Sequence, residues 1–250
     1  MLESLDINGD EEPERLFQKG WLSMAFQPIF EADGTIYGYE ALLRGTPRMP
    51  IGNPESLFSK RKSNGNLIRL DMACVGSALR SATRLSGESN IFINVHAETL
   101  IYLSDHCDVI ESLLDELGIP PSRVVFEISE RTDTSHIESL MVSLNAFCGL
   151  GIRTAIDDVG EDFKWLHEML FLEPSFIKVD KSYIGDLAGS PQKQTLVKFL
   201  ARMTDFTGIR IVAEGVEDVE TLDVLHSLGV HMSQGFYLGR PMAANHWSNP

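Results

Sequence analysis

Five acidic residues and one asparagine stand at the ends of short apolar runs spread along almost the whole chain. They lie in Gly38-Tyr39-Glu40-Ala41-Leu42, Ile91-Phe92-Ile93-Asn94, Val124-Val125-Phe126-Glu127, Ala155-Ile156-Asp157-Asp158 and Ile211-Val212-Ala213-Glu214. A charge at the mouth of a buried strand is costly unless something collects it, and a divalent cation is the simplest collector. Glu40, Asn94, Glu127, Asp157, Asp158 and Glu214 all donate through oxygen, and the seven histidines show no HExxH-like spacing. Such a set favours magnesium or manganese, with calcium also able to bind. The adjacent Asp157 and Asp158 suit two cations sharing a bridging carboxylate. Two metals about 4 Å apart fit in-line phosphodiester hydrolysis, one stabilising the entering and one the leaving oxygen.

Other polar residues join this set. Lys178, in Phe176-Ile177-Lys178-Val179-Asp180, places an ammonium at another strand end. It would hold or help deprotonate an attacking water, or neutralise phosphate charge. Arg44 suits a phosphate oxygen, and Gln27 and Gln234 suit a base, a ribose or a water. Each has a plainer alternative. A lone strand-end acid is often a helix cap, Asp157-Asp158 would cap a following helix, and Lys178 with Asp180 would make a structural ion pair. Gly149-Leu150-Gly151 lacks the full phosphate-binding fingerprint and more simply ends a helix. No serine nucleophile elbow is present. The recurrence of polar groups at successive strand ends is what sets these individual alternatives aside.

The elements that must bring these residues together follow from periodicity. Strands are expected at Leu22 to Phe30 and Thr35 to Leu43, and Asp33-Gly34 between them marks an antiparallel hairpin. Residues 45–66 read as a loop with a short helix near Pro54 to Ser59, and Leu67 to Leu85 has helical spacing. Strands are then expected at 91–95, 123–128, 153–157, 175–179, 209–213 and 230–237. Helices are expected between them at 105–117, 136–149, 163–171, 191–206 and 217–228. Alternation of this kind implies a parallel sheet covered by helices. Eight strands, two in an opening hairpin, predict an α/β fold: a modified (β/α)8 TIM-like barrel with an antiparallel first strand, whose strand C-termini converge on one face. The chain divides into an acidic tail with a short helix over 1–19 and one barrel domain over 20–250.

Composition agrees with that reading. The 250 residues suit one barrel, and 43% hydrophobic content supports a large core. A net charge of −15 argues against binding a DNA or RNA polymer through a basic surface. No apolar run reaches the roughly 18 residues of a membrane span, and the polar N-terminus is not a secretory signal. Three cysteines, Cys74, Cys107 and Cys148, have no paired spacing and point to reduced thiols in the cytoplasm.

These motifs resemble the EAL-domain family of cyclic di-GMP phosphodiesterases. The resemblance covers roughly residues 22–243. It rests on Gln27-Pro28-Ile29, Glu40-Ala41-Leu42-Leu43-Arg44, Asn94, Glu127-Ile128-Ser129-Glu130, Asp157-Asp158-Val159-Gly160, Lys178-Val179-Asp180, Ala213-Glu214-Gly215-Val216-Glu217 and Gln234-Gly235-Phe236. It implies hydrolysis of one phosphodiester of cyclic di-GMP to linear 5′-phosphoguanylyl-guanosine by a homodimer carrying two Mg2+ or Mn2+ ions. Glu40, Asn94, Glu127 and Asp157 would hold the first ion, and Asp157, Asp158 and Glu214 the second. Lys178 would contact the nucleophilic water, with Glu40, Asp158 and Glu214 completing the catalytic set. Gln27, Leu43, Arg44, Asp180, Glu217, Gln234 and Pro241 would bind the dinucleotide, and Glu130 would steady the loop after the paired aspartates.

The chain departs from the family pattern in two places. The loop after Asp158 reads Val159-Gly160-Glu161-Asp162-Phe163-Lys164-Trp165, with Asp162 where the family has a second glycine. Asp162 restricts backbone conformations that glycine allows. His96 stands where the family commonly has serine. Three functions compete: an active phosphodiesterase, a receptor that binds cyclic di-GMP and signals to a partner, and a purely protein-interacting module. The intact donor set favours the first, the altered loop motivates the second, and nothing in the donor set supports the third.

Overall fold

Asp33 and Gly34 reverse the chain as their types require. In the computed structural model, which describes residues 12–49, 53–63, 66–129, 137–159 and 172–248, β1 (Leu22–Glu31) and β2 (Ile36–Gly45) pair antiparallel. Gly34 sits at φ 84°. Asp33 Oδ1 accepts from the Thr35 amide at 2.9 Å and the Thr35 hydroxyl at 2.6 Å, the side-chain turn that favours aspartate here. From β2 onward the strands run parallel through β3 (Asn90–Asn94), β4 (Val124–Ser129), β5 (Arg153–Val159), β6 (Phe176–Val179), β7 (Arg210–Ala213) and β8 (Met232–Ser233). β8 then pairs antiparallel with β1 and closes the barrel.

Among the described residues the α-helices are α1 (Pro13–Gln18), α2 (Pro54–Ser63), α3 (Leu67–Ala82), α4 (Ala97–Ser104), α5 (Cys107–Leu117), α6 (Ile137–Leu150), α7 (Lys181–Ile184), α8 (Pro191–Thr207) and α9 (Val219–Ser227). The larger core lies between barrel and helices: outward residues such as Ile91, Phe126, Ile156 and Ile177 meet Leu79, Leu100, Leu144 and Leu200. Each large apolar side chain buried there contributes about 1.5–3 kcal/mol relative to exposure. A second core fills the barrel itself and consists of Ile29, Phe92, Val125, Ala155, Phe176, Val212 and Met232. Gly38 completes this level of the barrel. A Cβ there would lie 2.7 Å from the Asn90 carbonyl and 3.1 Å from the Phe92 ring, so only glycine leaves space for that ring.

The barrel floor is polar and paired. Arg210 donates to both Glu31 oxygens at 2.7 and 2.8 Å. Arg153 donates to the Tyr37 hydroxyl at 2.7 Å and to the Asn90 side-chain oxygen. No helix among the described residues is long and apolar enough to cross a membrane.

The expected strands all form, with differences at several elements, among them the unexpected short helix α7. The helix expected at 105–117 is preceded by α4, which buries Ala97, Thr99, Leu100 and Leu103. α3 stops at Ala82 rather than Leu85. The strand expected over 230–237 pairs only at Met232 and Ser233. Beyond Gln234 the chain folds over, because Gly235 packs onto the Val216 backbone so closely that a Cβ would sit 2.1 Å from its carbonyl oxygen. The helix expected at 163–171 lies outside the described residues.

Candidate active site

Period-two alternation places the functional side chains. On every parallel strand from β3 to β8, the candidate residue lies two positions beyond an apolar residue of the inner core. The pairs are Phe92 and Asn94, Val125 and Glu127, Ala155 and Asp157, Phe176 and Lys178, Val212 and Glu214, Met232 and Gln234. On β2 the same step runs from Gly38 to Glu40. On the reversed β1 it runs backwards, from Ile29 to Gln27, and Gln27 pairs with Glu40. Residues two apart share a sheet face, so the apolar layer carries a polar layer directly above it.

Lys178 is the centre of that layer. Its Nζ lies 2.7 Å from Glu214 Oε1, 2.9 Å from Glu127 Oε1, and 3.3 Å from both Glu40 Oε2 and Asp157 Oδ1. The lysine is fully buried, as is Glu127 to within 1%. Asn94 Nδ2 donates to Glu40 Oε1 and Glu127 Oε2, both at 3.1 Å, and Gln234 Nε2 donates to Glu40 Oε2 at 2.7 Å.

One cation does not satisfy this many anions. Burial pushes the Glu127 carboxyl well above its ordinary range, only partly offset by Lys178 and reinforced by Glu40 and Asp157. Asp157 is raised for the same reason. Glu214 is pushed up to about 8, by burial first and then by the Asp157 and Glu40 charges, against the relief from Lys178. Burial alone would lower the Lys178 pKa, but the carboxylates outweigh it and hold the ammonium well above its usual value.

The arrangement fits divalent cations. Carboxylate oxygens of Glu40, Glu127 and Asp157 all lie within 4.8 Å of one another, and so do those of Asp157, Asp158 and Glu214. Glu127 Oε1 and Asp157 Oδ1 are buried without a hydrogen-bond donor of good geometry and rely on ion-pairing to Lys178. Asp157 and Asp158 would face opposite sides of a regular strand. An irregularity between Ile156 and Val159 and a left-handed Asp158, at φ 59°, bring both carboxylates to one side. Asn94 faces its neighbours with nitrogen, so ligation through its oxygen requires the amide to turn over.

The remaining candidates spread outward. Leu43 and Arg44 line a cavity of about 560 Å³ beside the cluster, and Arg44 is exposed with Nη1 on the Leu43 carbonyl at 3.0 Å. Gln27 is buried and donates to the Gly239 carbonyl at 3.0 Å. Asp180, expected to bind the dinucleotide, accepts from the Ser182 amide at 2.8 Å and caps α7, while Lys178 pairs with the four carboxylates and not with it, against the alternative of a structural ion pair. Glu217 is exposed and Pro241 half-buried. Glu130, and the altered loop from Gly160 on, lie outside the described residues. The strand-end criterion passed over one buried carboxylate, Asp71, because it sits on α3.

Comparison with known proteins decides the family. The family model described as EAL domain matches residues 10–241. The chain belongs to the EAL domain family. This EAL domain is 27% identical over 255 residues to MucR of Pseudomonas aeruginosa, a bifunctional diguanylate cyclase/cyclic di-GMP phosphodiesterase, covering 96% of this chain and 37% of MucR. It is 27% identical over 238 residues to the cyclic di-GMP phosphodiesterase RocR of the same organism, covering 93% of this chain and 60% of RocR. It thus spans less than two thirds of either relative. Among solved structures, Klebsiella pneumoniae BlrP1 in complex with calcium and cyclic di-GMP superposes with a TM-score of 0.81 at 28% identity. That match covers 90% of this chain and 56% of BlrP1.

Proposed function

We propose that this EAL domain hydrolyses one phosphodiester of cyclic di-GMP to linear 5′-phosphoguanylyl-guanosine, using two Mg2+ or Mn2+ ions. The observation that carries this reading is the convergence of Glu40, Glu127, Asp157 and Glu214 on one buried point, with Asp158 within reach of the last two. Glu40, Glu127 and Asp157, with Asn94 turned to present oxygen, would hold one ion; Asp157, Asp158 and Glu214 would hold the other. Cations bound there would polarise the phosphoryl oxygens and lower the pKa of a bound water.

The chain's own groups supply the rest. Lys178, held as an ammonium, donates hydrogen bonds and positive charge to the water and phosphate; in this arrangement it is not a base. Glu214, with Oε1 2.7 Å from Lys178 Nζ, would help the lysine orient the attacking water. Gln234 fixes Glu40 by its 2.7 Å hydrogen bond. Leu43, Arg44, Glu217 and Pro241 lie farther out, where the dinucleotide would extend. A homodimer in the cytoplasm is part of the same reading.

The test is turnover of cyclic di-GMP by purified protein with saturating Mg2+ or Mn2+, followed by separation of the linear product. Clear binding with no product would replace the enzyme with a receptor, the reading that Asp162 in the altered loop favours.

A further inference from the structure

The cavity beside the carboxylate cluster begins at Asn94 and Glu127 and extends outward to Phe58, Asp71 and His96. Its volume of about 560 Å³ falls in the range that encloses a small organic ligand. A cyclic dinucleotide with one phosphate on the cluster carries a purine nucleoside on each side of it. One base is therefore tethered within reach of this cavity.

His96 is held in place before any ligand arrives. Asp71, a carboxylate only 2% exposed, accepts from the His96 backbone amide at 2.9 Å and lies 3.3 Å from ring Nδ1. Phe58 lies against the ring at 5.1 Å between centroids and 29° between planes. The imidazole is thus fixed at one edge and on one face, while its side chain stays 41% exposed. A ring already ordered loses little freedom when a ligand packs on it, and flat bases bind well to such platforms. Serine, which the family resemblance would place here, has no ring to offer.

We propose that His96 is a base-contacting residue, on which the guanine of one half of cyclic di-GMP stacks, and that Asp71 is the residue positioning its ring. This rests on the reading of the cluster as the place where cyclic di-GMP is bound.

Calorimetry of cyclic di-GMP binding in the presence of calcium tests it with His96→Ala, His96→Phe and Asp71→Asn. Loss of the platform in His96→Ala weakens binding by about 5- to 150-fold, the range for losing one stacked base. His96→Phe restores the flat surface and binds within about threefold of wild type. Asp71→Asn keeps an acceptor for the His96 amide but loosens the ring, so its affinity falls between the two. Where turnover is measurable, His96→Ala raises KM and leaves kcat near wild type. Equal affinity in His96→Ala and wild type overturns the inference alone, as does a His96→Phe variant as weak as His96→Ala. Absence of binding by the wild-type protein overturns the cyclic di-GMP reading and this inference with it.

Discussion

At Lys178 a single ammonium answers four carboxylates carried by four strands. Glu40, Glu127 and Asp157 offer it oxygens of the same side chains that would surround a cation, so the lysine and a metal compete for one set of donors. Replacing Lys178 by Met removes a charge a few ångströms from the ion. Affinity for Mn2+, read by calorimetry without substrate, rises at least about tenfold, while hydrolysis falls by roughly 10²–10⁴. An unchanged Mn2+ affinity would separate the lysine from the metal site. Glu40→Ala has a different signature. It strips Gln234 Nε2 of its acceptor and Asn94 Nδ2 of one of its two and removes a ligand, so turnover is abolished in a steady-state assay. A wild-type rate in that variant would exclude Glu40 from the chemistry.

At the scale of elements, alternation carries the site. The strands that carry Asn94, Glu127, Asp157 and Lys178, and the one that leads into Glu214, were legible because an apolar run closed by one polar residue is a local pattern, and period two then fixes the face. The second aspartate was legible only as a residue type. Its direction depends on the irregularity between Ile156 and Val159, which no local pattern announces. Asp71 and its hold on His96 were not legible at all, since the partners are 25 residues apart on a helix and a strand exit. The short β8 escaped for a similar reason: Gly235 stops the strand through contact with Val216, a neighbour only in three dimensions. Gly38 offers a test of the layer beneath the site. Gly38→Val puts carbon against the Asn90 carbonyl and the Phe92 ring, an overpacking that costs about 1–3 kcal/mol in urea denaturation. An unchanged midpoint would mean that the inner layer is looser than its contacts imply.

For the whole molecule, the site is a stability cost when no metal is supplied. The folded protein keeps the Glu214 proton more tightly than the unfolded chain does, raising that carboxyl from 4.5 to about 8. The contribution is fully present below the ordinary value and is lost as pH rises through the folded one. Lys178 has a raised pKa too, but its protonation change falls above 10.5 and leaves this window alone. The melting midpoint in chelator therefore drops between pH 5.5 and pH 8, Mn2+ restores it at the higher pH, and Glu214→Gln lessens the slope without abolishing it, because Glu127 and Asp157 are raised in the same direction. A midpoint indifferent to both pH and Mn2+ would contradict this account. The reversed first strand bears on the molecule in another way. Because Leu22 pairs with Gly45, at the far end of β2, the polypeptide enters the barrel at the rim of the carboxylate cluster instead of at the arginine-paired floor. Helix α1, which leads directly into Leu22, is therefore joined to the same rim as the reacting groups, so a shift of that helix against α3 has no barrel to traverse before it is felt there.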